Sequence, residues 1–261
     1  MIVRRNSAAA EITEDAVLGG RLRLRQPRRG HRVGHDAILL AAACPARGGD
    51  HVVDFGAGVG GAGLALAMRV PDTTVTLLEV DAQLAALAGE NVRLNALHDR
   101  VRAVALDVAA PARSFAANGL RSESVMRVIM NPPFNDPQRQ RLSPDAARRL
   151  AHAAPWQMLA VWVKAAARLL RPRGTLTAIW RADGLSEMLS ALAAGFGGIT
   201  VRPVYSRPDK PAIRILVNAS KASRAPLALL PPFLLAEASG IPTPAADAVL
   251  RDGVALADVR S

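Results

Sequence analysis

Four consecutive residues, Asn131, Pro132, Pro133 and Phe134, combine the types that chemistry on an amine would use. Two adjacent prolines fix φ and forbid helix, so the chain leaves this point as a rigid extended arm. On such an arm the Asn side-chain oxygen and the Pro132 carbonyl can each accept a hydrogen bond from an amino group. The nitrogen lone pair is then aimed at an electrophile, and Phe134 can stack on a planar base or amide. No strong general base is required if the nitrogen attacks first and sheds its proton afterwards. The competing reading is a proline-stiffened strand exit without chemistry.

A second group lies upstream. Asp54, Gly56, Gly58 and Gly60 fall in the run DFGAGVG, directly after an apolar stretch and before a helical one. Glycines there let the backbone turn tightly and let a ligand approach it closely, while the helix start offers free N–H groups. Glu79 follows about twenty residues on, where a carboxylate can take the hydroxyls of a ribose. A nucleoside-containing cofactor is indicated. Gly56, Gly58 and Gly61 also satisfy the dinucleotide fingerprint G-x-G-x-x-G, so a nicotinamide oxidoreductase stays open on the loop alone. Asp107 closes a later apolar run. It either receives part of the cofactor or caps the next helix, and Asp81 reads as the cap of the helix starting at Ala82.

The elements that must hold these groups are readable from periodicity. Apolar runs bounded by turn residues at 51–55, 74–80, 101–108, 125–130 and 174–180 predict buried strands. Helical stretches at 61–69, 82–97, 155–170 and 184–194 lie between or after them. Two further strands, 199–205 and 212–220, are separated by Arg207-Pro208-Asp209-Lys210-Pro211. That turn is too short for a crossover helix, so the last pair should be an antiparallel hairpin. The expected fold is α/β, Rossmann-like, with seven strands mostly parallel. We expect an Arg-rich extension packed on the core over residues 1–48, the catalytic domain over 49–221, and a Pro-rich tail over 222–261.

Composition bounds the partners. The chain of 261 residues has a formal net charge of +11, a balance that attracts polyanions, with nucleic acid first among them. Lysine occurs only as Lys164, Lys210 and Lys221, so clustering of arginines must carry the argument. Arg21, Leu22, Arg23, Leu24 and Arg25 alternate, placing the leucines on one face of a strand and three guanidinium groups on the other. Arg28, Arg29 and Arg32 extend the run, and no acidic residue lies between Arg21 and Arg32. This predicts an RNA-backbone surface, with a solvated basic face as the bland alternative. Arg139, Arg141, Arg148 and Arg149 would continue it beyond the proline arm.

Other chemistry is poorly supplied. Cys44 is the single cysteine, followed by Pro45 in an Ala-rich run, and reads as a buried structural thiol. His31 and His35 lack a third ligand, so no metal is expected. Trp156, Met158 and Trp162 read as packing residues of one helix. No segment has the length and apolarity of a signal core or membrane span, so a cytoplasmic protein without membrane attachment is expected.

With these residues in view, NPPF together with DFGAGVG resembles the amine-directed class I methyltransferases, which modify adenine N6, guanine N2 or glutamine N5. The arrangement from LGGRLRLRQPRRGHRVGHDAILLAAA through NPPF to RPDKPAIRILVNASKASRAPLALLPP is more narrowly similar to the bacterial tRNA adenine-N6 methyltransferase family that acts beside the anticodon of a valine tRNA. The resemblance covers most of the chain. It implies S-adenosylmethionine held by Asp54, Gly56, Gly58, Glu79 and Asp107, with Gly60 expected in the same loop. It also implies an adenine amine held by Asn131 and Phe134, while the arginine cluster, with Lys210 and Arg214, is expected from its charge to contact the RNA. A protein glutamine N5-methyltransferase and a non-catalytic RNA-binding protein on the same fold are the alternatives.

Overall fold

The computed structural model describes residues 11–29, 32–133 and 155–256. Phe134, His31, Arg139, Arg141, Arg148 and Arg149 lie outside them. The central sheet is built from β3 (His51–Phe55), β4 (Thr74–Glu79), β5 (Val101–Ala105), β6 (Val125–Met130), β7 (Leu170–Arg181), β8 (Phe196–Tyr205) and β9 (Ala212–Lys221). Their spatial order is β8-β9-β7-β6-β3-β4-β5. All pairings are parallel except β7 with β9 and β8 with β9, which are antiparallel. The seven expected strands and the antiparallel final hairpin are therefore present.

The strands are apolar on both faces because helices cover both. α1 (His35–Ala43), α2 (Gly61–Arg69) and α3 (Ala82–Leu94) contribute to one buried cluster, where Leu39, Leu40, Leu64 and Leu66 meet Val52, Val75 and Leu77. α4 (Ala112–Ala117), α5 (Pro155–Leu169) and α6 (Leu185–Leu192) contribute to the other, where Phe115, Leu159 and Trp162 meet Val53, Phe55 and Val128. Alanine lets helices approach the sheet closely. That is how a chain with 3% aromatic residues still fills its interior.

Two features go beyond what the sequence pattern marks out. The arginine-rich strand, β2 (Leu22–Pro27), is paired antiparallel with β1 (Ile12–Val17), forming a separate hairpin. The tail continues the sheet: β10 (Ala228–Leu229) and β11 (Phe233–Leu234) pair parallel with β8. α7 (Pro244–Leu250), capped by the Thr243 hydroxyl, follows, and the Leu256 N–H then bonds the Ala42 carbonyl of α1. Among the described residues no helix is long and apolar enough to cross a membrane.

Candidate active site

At the carboxyl edge of the sheet, β3 runs straight into the glycine loop. Gly56 has φ +66°, and a Cβ placed there would sit 2.4 Å from the Trp162 ring. Trp162 is thus the floor against which the loop turns, with Phe55 edge-on to it at 6.3 Å between ring centroids. Gly58, at φ +56°, is the opposite case: no atom of the described residues lies within 4 Å of an added Cβ. Gly56 is excluded from growing by the protein, whereas Gly58 leaves space that a ligand can enter. Gly60, at φ +93°, ends the loop as the N-cap of α2.

The acidic residues divide by role. Glu79, at the end of β4, is 8% exposed, with Oε2 accepting from the Gly58 N–H (2.8 Å) and Oε1 from the Asp81 N–H (2.9 Å). Each oxygen retains a lone pair for a hydroxyl. Asp54 is 2% exposed, and its Oδ2 accepts from the Gly63 N–H at 2.9 Å. Burial pushes this carboxyl up to about 7, opposed by the Gly63 N–H and assisted by repulsion from Glu79. Asp54 thus braces the start of α2 from beneath the loop. Asp107 accepts from the Ala109 N–H at 2.8 Å, so its turn-capping role is present, and the oxygen left over has no partner among the described residues. Asp81 accepts from the N–H groups of Gln83 and Leu84, the expected N-cap of α3.

Asn131 follows β6 at the same edge, between β3 and β7 in the sheet order. Its Oδ1 is buried and accepts no hydrogen bond among the described residues. An orphaned carboxamide oxygen costs roughly 1–3 kcal/mol unless something donates to it. Pro132 is buried and Pro133 half-buried, so the arm is seated in the protein. The free oxygen, the open face at Gly58 and the carboxylate of Glu79 belong to strand ends that are adjacent through β3. These groups suit an adenosyl-type cofactor: a diol acceptor, a glycine cradle and a helix N-terminus, with an amine acceptor beside it.

The basic residues behave differently. Leu22 and Leu24 are buried and Arg21, Arg23 and Arg25 exposed, as the alternation requires. The arginines are nonetheless engaged. Arg23 and Arg25 pair with Glu14, Arg28 with Glu11 at 2.6 Å, and Arg32 with Asp15 beneath the hairpin. Arg21 donates to the carbonyls of Leu18 and Arg251. Of the six, only Arg29 has no partner among the described residues. Carboxylates outside the run thus pair with four of its six arginines, and the patch keeps an excess of positive charge. Lys210 lies 3.5 Å from Asp209, and Arg214 pairs with Asp36 of α1 at 2.9 Å. Through the register Arg181↔Arg214 the β8–β9 turn lies at the same edge as Asn131.

Sequence reading placed Trp162 in the core but missed that it shapes the glycine loop. It also placed Val80 at the end of a buried strand, whereas the strand closes at Glu79 and Val80 is 48% exposed. Cys44 is buried, and burial raises its thiol to about 11, which removes it as a nucleophile. Among the described residues no three His, Cys, Asp or Glu side chains cluster to hold a metal.

Comparison with known proteins follows the same line. The family described as methyltransferase small domain matches residues 31–203. A relative in Dyadobacter fermentans, called tRNA1(Val) (adenine(37)-N6)-methyltransferase, is 28% identical over 212 residues, 81% of this chain and 84% of that one. A protein of the same name in Tolumonas auensis is 30% identical, covering 65% and 68%. The crystal structure of a predicted O-methyltransferase from Agrobacterium tumefaciens superposes with a TM-score of 0.73 at 30% identity, covering 86% of this chain and 99% of that one.

Proposed function

This chain belongs to the methyltransferase small domain family, and from that premise we propose that it methylates N6 of an adenine in tRNA. Family and fold make it a class I methyltransferase that uses S-adenosylmethionine. The observation that carries the acceptor is the buried Oδ1 of Asn131, which has no partner among the described residues. An exocyclic amine has two N–H groups, one for this oxygen and one for the Pro132 carbonyl, whereas a hydroxyl has a single O–H for the two.

When bound, the cofactor supplies an electrophilic methyl and a neutral thioether as leaving group. The protein supplies orientation. Glu79 and the loop hold the donor, with Gly58 at the open face, and Asn131 with the Pro132 carbonyl holds the amine. Phe134 and the adenine ring would stack. Positioning of two reactants accounts for most of the rate such a site needs, so a neutral Asn suffices. The tRNA would lie across the carboxyl edge, contacted by Lys210 and Arg214 and by the hairpin arginines, whose exposed, salt-screened ion pairs yield readily to phosphate. The cytoplasm, where such RNA is found, is the expected compartment.

A relative named release factor glutamine methyltransferase, from Chlorobaculum tepidum, is 28% identical, and its match spans 59% of that protein. Its acceptor, a side-chain amide, also presents two N–H groups, so it is the second reading. Labelled S-adenosylmethionine with total RNA and total protein from cells lacking the gene separates them. Label should appear as N6-methyladenosine in tRNA. Label confined to a protein glutamine would replace the substrate, and label on ribose oxygen would remove the amine reading.

A further inference from the structure

The hairpin is bound to the rest of the molecule by an unusual clasp. Asn91 of α3 and Asn95, the C-cap of that helix, stand four residues apart, a rise of about 6 Å. On β2, Arg23 and Arg25 stand two apart, about 6.6 Å. The two spacings match closely enough for each asparagine to close a ring with one residue of the strand. The Asn91 Oδ1 accepts from the Arg25 N–H at 2.7 Å, and its Nδ2 donates to the Arg25 carbonyl at 2.9 Å. Asn95 does the same for Arg23, at 2.9 and 2.7 Å. The two side chains thus stand in for a neighbouring strand on the free edge of β2, since a carboxamide carries the same donor and acceptor as a peptide unit.

The asparagines differ in one respect. The second Nδ2 proton of Asn91 goes to the Val59 carbonyl, at 2.9 Å, inside the glycine loop, whereas Asn95 returns its own to the Asn91 carbonyl. Asn91 is fully buried, so bulk solvent does not compete for the Val59 carbonyl. The loop receives a second contact from the same side: a Cβ on Gly61 would meet both Val33 methyls at 2.7 Å, and the Val33 N–H is held by Gln26 of β2.

We propose that Asn91 is a positioning residue of the cofactor site, fixing the Val59 carbonyl and so the glycine loop's turn, and that through it the hairpin backbone is part of that site. The proposal rests on the cofactor reading above. Asn95 is the internal control, because it holds the hairpin with as many bonds but does not reach the loop. Asn91→Ala should raise the KM for S-adenosylmethionine and the Kd for S-adenosylhomocysteine about tenfold, with kcat at saturating donor within about twofold, since the acceptor's contacts at Asn131 are untouched. Asn95→Ala should lower thermal stability yet leave both constants unchanged. Equal effects of the two substitutions on cofactor affinity, or none from either, would overturn the proposal. A second measurement on the intact wild-type chain does not depend on either variant folding. Addition of S-adenosylhomocysteine should slow hydrogen exchange at the Arg25 amide as well as in residues 56–63, and protection confined to the loop would also overturn it. A wild-type chain that binds no S-adenosylhomocysteine overturns the cofactor reading, and this proposal falls with it.

Discussion

The carboxyl edge of the sheet and the N-terminal hairpin are both rich in polar groups, but they keep them in opposite states. Among the described residues at the edge, nothing donates to the buried Asn131 oxygen, one Asp107 oxygen has no partner, and Gly58 faces open space. On the hairpin, Glu11, Glu14 and Asp15 answer Arg28, Arg23, Arg25 and Arg32. Unfilled bonding capacity in a buried place is costly and persists where a ligand fills it. Charge on an exposed strand is cheap, and its count says little until its neighbours are known.

Breaking the edge should therefore have the largest consequences. Asn131→Ala is expected to lower the methylation rate by roughly 10²-fold or more while S-adenosylhomocysteine affinity stays within a few-fold, because the lost contact acts on the acceptor in the transition state. Rate assays beside calorimetry check both halves. Gly58→Val fills the open face and forces a β-branched residue to positive φ, a strain of about 1–2 kcal/mol, so cofactor affinity should fall by at least about tenfold. Calorimetry that found normal affinity would mean that the cradle lies elsewhere.

How much of this contrast sequence could reveal depended on whether the signal was local. The glycine loop, Glu79 and the proline arm each follow an apolar run, so strand, turn and site are read together. β1 escaped because its inward face carries Thr13, Asp15 and Val17, half-buried and mostly polar, where alternation would show apolar residues. Without β1, its acids could not be set against β2, and the arginine run looked uncompensated. β10 and β11 are two residues each amid prolines, defined only by the strand they join. The Asn91 clasp was equally hidden, since a buried asparagine on a helix says nothing about which strand it grips.

Two smaller effects sharpen the comparison. A carboxyl whose pKa rises on folding gains a proton as the chain folds, so Asp54 contributes most to stability below its ordinary value near 3.8, and that contribution is lost as pH climbs through about 7. Asp54→Asn should remove this decline between those two pH values, and thermal melts across the range will show whether it does. On the hairpin, replacing Arg21, Arg23 and Arg25 by Gln should flatten the salt dependence of RNA binding by only about one log–log unit. Three free phosphate contacts would be worth more than two, and Glu14 already holds two of these side chains. Glu14→Gln should act in the reverse sense, strengthening RNA binding and steepening the slope. An unchanged slope in both variants would take the hairpin out of the RNA surface and leave Lys210 and Arg214 to provide it.

The central claim is that the open oxygen of Asn131 awaits an adenine amine. Cells lacking the gene, re-expressing wild type or Asn131→Ala at matched levels, test it through N6-methyladenosine measured per tRNA by mass spectrometry. Wild type alone should restore the modified nucleoside. Restoration by Asn131→Ala to the wild-type level would contradict the account.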